Sequence, residues 1–297
     1  MKQFLASLSL VFFSAIAFGQ DFKSQFDAAL QDSDTSMQRQ ILQQWEVQDP
    51  QNAELFTSYF NYYFYKDRME VVSLSSEQPN AESLEIKDST GNVAGFLASN
   101  VVYDQATLKH GFDKIDEGIR LYPNRLDMRF GKIYGLGVAE DWESFTNEIV
   151  KTIQYSAINK NEWTWTFNEK REHGEELLLS SVQNYQLTLY ETENDALLPF
   201  MRTIANEILK LYPKSIESLS NLSITYLLTD DFDKAIEVLL RAEKISPKDG
   251  IVLGNIAQGY KLKGDIGMAK KYYKKMLKLD DENSAAFAKK QLEKLGK

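Results

Sequence analysis

Three features of the sequence predict an all-α protein, an α-solenoid of antiparallel helix pairs with a small β-hairpin insertion. Two consecutive stretches near the C-terminus, 216–249 and 250–283, carry the same residue classes in phase. Apolar residues in most other stretches recur at spacings of three and four, which is one face of a helix. Residues 83–98 alone alternate apolar and polar positions around a cluster of turn residues.

The first twenty residues read as a signal peptide. Lys2 supplies a positive start, Phe4 to Phe18 form an apolar run, and Ala15, Ala17 and Gly19 are small residues suited to cleavage between Gly19 and Asp21. The run is shorter than the roughly 20 apolar residues of a membrane span. The sequence contains no cysteine. That excludes disulfides, thiolate metal sites and a lipoprotein anchor. The expectation is export to the periplasm or the medium, as a protein that is not a lipoprotein and has no membrane span.

Residues 21–80 are expected to be helical. Asp49-Pro50 precedes a helix from Asn52 to Asp67 that holds Leu55, Phe56, Tyr59, Phe60 and Tyr63. Its aromatic run, Tyr59 to Tyr65, covers every side of a helix, so part is core and part is free to line a groove. A hairpin is expected at 81–98: Leu84 and Ile86 alternate with polar residues, Asp88 to Asn92 supply the turn, and Val93, Phe96 and Leu97 follow.

Residues 99–213 read as degenerate helical pairs. Phe112, Ile115 and Ile119 lead to Leu121-Tyr122-Pro123, and Met201, Ala205 and Ile208 lead to Leu211-Tyr212-Pro213. Between them, Asp141 caps a helix with Phe145, Ile149 and Ile153, and the polar stretch 159–174 breaks the rhythm apart from Trp163, Trp165 and Phe167.

Residues 214–297 hold two crisp units and a capping helix over 285–295. The first unit has Leu219, Leu222, Ser223 and Tyr226, then Asp230-Asp231, then Ala235, Leu239, Ala242 and Pro247. The second has Leu253, Ile256, Ala257 and Tyr260, then Gly264-Asp265, then Ala269 and Tyr273. The small residues let helices approach closely, Gly264 suits a tight turn, and Pro247 stops a helix. A single pair cannot bury its own apolar face, so neighbours must stack.

This stretch resembles the tetratricopeptide repeat (TPR). It departs from the pattern at Met276, where a small residue is usual, and at Asp281, where proline is usual. The resemblance implies a superhelix whose groove binds a protein or peptide partner. By position it implies a groove of Glu217, Ser220, Asn221, Ile224, Leu228, Ile251, Gly254, Asn255, Gln258 and Lys261. Asn221 and Asn255 match an asparagine with which the family holds an extended peptide backbone. The cations of the family's carboxylate clamp are missing here.

Little points to catalysis. There are two histidines, His110 and His173, far apart in the sequence. No HExxH, P-loop or GxSxG motif occurs, and Gly135-Leu136-Gly137 lacks the rest of a dinucleotide fingerprint. No cofactor and no metal are expected. His173 with Glu175 or Glu176 is the sole acid–base candidate, and carboxylates at a helix start are explained by the helix dipole. Asp230-Asp231 and Asp280-Asp281-Glu282 fall at unit boundaries, where turn and cap duties explain them.

The formal net charge is −9. Residues 241–297 carry 14 basic and 7 acidic side chains, or +7, which leaves −16 on the rest. A mostly acidic, exported chain argues against nucleic acid as a partner. Lys271, Lys274, Lys275 and Lys278 read as a solvated helix face. The alternative to a protein partner is a glycan held by aromatic residues around Trp163 and Trp165.

Overall fold

The computed structural model describes residues 11–78 and 83–296, with side chains from 21 onward. Residues 1–10 of the expected signal peptide, and 81–82 of the expected insertion, lie outside the described residues. The chain divides into two compact units, one of residues up to 135 with 163–170, the other of 136–162 with 171 onward.

In the first unit, α1 (Val11–Gln31) and α2 (Thr35–Gln48) precede α3 (Ala53–Lys66). Thus α1 runs through the expected cleavage region. Phe22, Phe26, Leu42 and Trp45 close a core against Leu55, Tyr59 and Tyr62 of α3, and the Phe22 ring stacks on Trp45 at 5.8 Å. Tyr59, Phe60, Tyr62 and Phe64 are all buried, while Tyr65 is exposed, so core packing absorbs most of the aromatic run.

Helix α4 (Gln105–Leu121) lies antiparallel on α3. Two glycines permit this approach: a Cβ at Gly111 would sit 3.2 Å from the Tyr63 Cβ, and one at Gly118 would sit 2.8 Å from the Phe56 Cβ. Between these two helices the chain forms a three-stranded antiparallel sheet of β1 (Met69–Ser75), β2 (Ser83–Lys87) and β3 (Val93–Val102), in the order β1-β3-β2. The expected hairpin is β2–β3. The structure adds β1, and β3 runs to Val102. Strand β1 follows α3 without a glycine or proline to mark the change, which is why its alternation reads as part of a helical segment.

The register sets Leu74, Leu97 and Leu84 in one row across the strands. Alternation then places Val72, Val101 and Ile86 on the same face. All six are exposed; Leu74 is 69% accessible.

Helix α5 (Leu126–Val138) begins in the first unit and ends in the second. The second unit continues with α6 (Trp142–Asn159), α7 (Gly174–Glu191), α8 (Leu198–Leu211), α9 (Ile216–Leu227), α10 (Phe232–Ile245), α11 (Gly250–Leu262), α12 (Ile266–Met276) and α13 (Glu282–Gly296). Helices α9 to α12 pack as two successive pairs, and α13 covers the last one. The core runs through them without a break: Leu219, Leu239, Leu253, Ile256, Ala257, Ala269 and Tyr273 are buried together. Helix α13 comes close to Gly250, where a Cβ would meet the Ser284 hydroxyl and require it to turn away.

One turn recurs. Ser33-Asp34, Glu140-Asp141, Asp230-Asp231 and Gly264-Asp265 each place a residue of positive φ before an aspartate. In each the aspartate N–H returns to a carbonyl five residues back: Asp34 to Ala29, Asp141 to Leu136, Asp231 to Tyr226 and Asp265 to Tyr260, at 2.9–3.0 Å. This closes the C-terminus of the first helix. The aspartate side chain then caps the second helix for three of the four: Asp34 to Met37 N, Asp141 to Ser144 N and Asp265 to Met268 N.

The pairs also end alike. Asp49, Tyr122, Tyr212 and Ser246 are C-caps with φ between −147° and −123° and ψ between 64° and 83°, each followed by proline. A residue before proline is steered away from helical geometry, so the proline ends the helix one residue early.

Candidate functional site

Helix α8 packs chiefly on α6 and α9 and meets α7 only lightly. This leaves a cleft of about 860 Å³ between α7, the end of α8 and the start of α9. Its apolar wall includes Leu179, Val182, Leu211 and Pro213, and its carboxylates are Glu175, Glu176 and Glu217, with Lys214 as the cation of the lining. At one end Asn161 donates to the Glu175 carboxylate (3.1 Å) and to the Tyr212 hydroxyl (2.9 Å).

Gln183 and Asn221 face each other across this cleft. The Asn221 amide donates to Gln183 Oε1 at 2.7 Å and accepts from Gln183 Nε2 at 3.5 Å. One turn further along α7, Gln186 is 2% exposed. Its Nε2 donates to the Met201 carbonyl at 3.2 Å, and its Oε1 has no hydrogen-bond partner.

The residues the repeat resemblance implies for a groove divide into three sets. Glu217 and Asn221 line the cleft. Ile224 is half-buried, while Leu228, the C-cap of α9, reaches a smaller hollow beside Leu189 and Leu198. Ser220, Gly254, Asn255, Gln258 and Lys261 are half-buried, and Ile251 is 73% exposed. Gln258 accepts from the Tyr273 hydroxyl and Lys261 donates to Gln291, both at 3.4 Å. Asn255 makes no side-chain hydrogen bond among the described residues. Asn221 is therefore already engaged by Gln183, whereas Asn255 keeps its amide open.

Trp163 and Trp165 lie in the first unit. Trp163 is 0% exposed, so it is a core residue and offers a sugar no surface. Trp165 is half-buried and meets Phe130 edge-on at 6.1 Å. The two rings therefore do not form the exposed pair that the glycan alternative needs, and the segment closes onto Arg125. Arg125 donates to both Glu54 oxygens (2.6 and 3.2 Å) and both Asp127 oxygens (2.8 Å each). Phe167 N also donates to Glu54 at 2.7 Å. Burial opposes the charge on Arg125, but the two carboxylates outweigh it and hold its pKa above the ordinary value.

His173 is the N-cap of α7 and is no part of the cleft wall. His110 packs on the Tyr63 ring at 5.6 Å. Asp231 and Asp281 are held below their ordinary carboxyl pKa, chiefly by hydrogen bonds from Lys234 and Ser284 respectively, as turn and cap residues. Lys271, Lys274 and Lys278 are exposed, and Lys275 sits over the Tyr272 ring at 4.3 Å. Among the described residues no cluster of histidine and carboxylate side chains is arranged to hold a metal, and no helix is long and apolar enough to cross a membrane.

The sequence pattern does not single out Gln183 and Gln186. The signal is there in retrospect: two amides one turn apart on α7, at positions that face other helices.

The tetratricopeptide-repeat family model matches residues 216–249 and 252–283, which are α9–α10 and α11–α12. No curated protein matches the sequence. Among solved structures the chain is similar to YrrB, a TPR protein with an unusual peptide-binding site, at 14% identity over 84% of this chain and 97% of that one, with a TM-score of 0.41. It is similar to PilW, a widely conserved type IV pilus biogenesis factor, at 9% identity over 91% and 97%, with a TM-score of 0.39. A TPR protein of Parabacteroides merdae is 11% identical over 94% and 93%, with a TM-score of 0.37. Likenesses this loose add nothing to what the family model and the repeated turns carry. On those two grounds the chain carries tetratricopeptide repeats, matched at 216–249 and 252–283.

Proposed function

We propose that this chain is an exported interaction scaffold that binds a protein or peptide partner along α7, α9 and α11 and catalyses no reaction. The observation that carries the reading is the open face these helices present. It comprises the 860 Å³ cleft with Glu217 and Asn221 on its wall and, on α11, the exposed Ile251 with the half-buried Asn255, Gln258 and Lys261. Apolar side chains beside the open amide of Asn255 suit an extended segment, whose backbone needs donors and acceptors and whose side chains need apolar contact. Export rests on the apolar run after Lys2 and places the protein in the periplasm or the medium. No observation favours the glycan alternative, with Trp163 in the core.

Cross-linking in intact cells tests the scaffold reading. A defined protein partner is expected with the wild type and lost with Asn255→Ala and Lys261→Glu combined. Recovery of the same partner from both would remove the α11 face from the function. N-terminal sequencing of the mature protein is expected to begin between Gly19 and Asp21, and a chain that keeps Met1 would end the export proposal.

A further inference from the structure

The cleft between α7 and α9 is a site built from acceptors. Glu175, Glu176 and Glu217 line it against the single cation Lys214. Deeper on its wall stands Gln186, whose Oε1 is buried and unpartnered while its Nε2 is tied to the Met201 carbonyl. The amide cannot turn to satisfy both ends: flipping it to expose a donor would set Oε1 against that carbonyl. Gln186 therefore lines the cleft with an acceptor that no group among the described residues meets, and buried polar groups without a partner are rare in folded proteins.

We infer that this cleft receives a lysine or arginine side chain from the bound segment of a partner protein, an inference that rests on the scaffold reading above. A cationic head bears donors and no acceptor, which is the complement of three carboxylates and Gln186 Oε1. Its alkyl stem matches Leu179 and Leu211, since such stems lie on apolar surface with the charge held clear. An acidic side chain would oppose the carboxylates, and a neutral one would leave their charge uncompensated.

Fluorescence anisotropy with a fluorescein-labelled alternating lysine–leucine octapeptide tests this on the full mature chain. The expected result is binding that Glu176→Gln with Glu217→Gln weakens about tenfold. The pair Glu237→Gln with Glu293→Gln, which removes the same charge outside the cleft, should change affinity less than about twofold. Gln186→Leu, compared at equal melting temperature, should weaken it too. A glutamate–leucine octapeptide should not bind.

Equal loss in both charge pairs would reduce the effect to net charge and overturn the site. Comparable binding of the glutamate peptide would overturn its cation preference. Displacement of the octapeptide by spermidine at equal concentration would assign the cleft to free polyamines. If no octapeptide binds while the cross-linked partner is still recovered, the cation inference falls and the scaffold stands. Loss of that partner as well would bring down both.

Discussion

The pairs α9–α10 and α3–α4 share one plan, two antiparallel helices in close contact, but they are joined in opposite ways. In α9–α10 the link is Leu228 to Asp231, closed by the return of the Asp231 N–H to Tyr226. In α3–α4 the link is 67–104, which carries the strands β1, β2 and β3. The α3–α4 contact survives because it does not depend on the turn. It is held by the Gly111 and Gly118 approach, by the Phe60–Phe112 ring contact and by Asp67, which accepts from Thr107 at 2.7 Å. A repeat can therefore keep its helices while its turn is free to carry an insertion. Loop-closure cost grows slowly with length, which is why such insertions are tolerated.

The two regions also hold themselves together differently. The C-terminal pairs rely on a continuous apolar core with small residues at the crossings. The first unit adds a buried ionic centre at Arg125. The largest expected effect follows from that. Arg125→Met leaves Glu54 buried without its cation and should cost about 3–5 kcal/mol. Urea unfolding read by tryptophan fluorescence checks it, since Trp163 and Trp165 sit on the segment that Glu54 anchors. A loss under about 1 kcal/mol would mean the ion pair barely contributes.

Next come matched substitutions at the helix crossings. Gly118→Val in the first unit and Ala257→Leu in the second should each cost about 1–3 kcal/mol through overpacking. Similar losses in thermal melts would support one packing rule for both regions. A neutral Gly118→Val would show that α4 can slide away from α3.

The turn gives a smaller effect. Gly264 has φ +89°, and Gly264→Ala should cost about 1–2 kcal/mol. Glu140→Gly relieves a residue with φ 56° and should be neutral to stabilising by up to about 1 kcal/mol. A destabilised Glu140→Gly would break the equivalence of the turns. The smallest effect is expected on the sheet. Leu74→Ser with Leu84→Ser removes exposed leucines and should change stability by about 0.5 kcal/mol or less. A larger loss would reveal that this face is covered in solution, and sedimentation would then show by what.

The turns explain why so much of the fold escapes a reading of the sequence. Of the four that share one geometry, only Gly264-Asp265 carries the glycine that advertises a left-handed residue. Ser33, Glu140 and Asp230 adopt the same positive φ without it. The aspartate that follows is common in loops and signals little alone. The helix ends are more legible, because Tyr122-Pro123, Tyr212-Pro213 and Ser246-Pro247 leave a chemical mark. The candidate site is half legible. Glu217 and Asn221 follow from their place in a repeat, but the pairing of Asn221 with Gln183 joins residues 38 apart in sequence.

By itself, then, the sequence determined the periodic elements: two in-phase repeats, the helices around them, a hairpin and the prolines that end helices. Local sterics and spacing write these directly into the chain. The tertiary structure alone decided that β1 joins the hairpin, that Trp163 is core, that Arg125 is buried between Glu54 and Asp127, and that α7 stands off from α8. Each of those depends on contacts between segments far apart in the chain, where burial outweighs local preference and no nearby residue records the outcome.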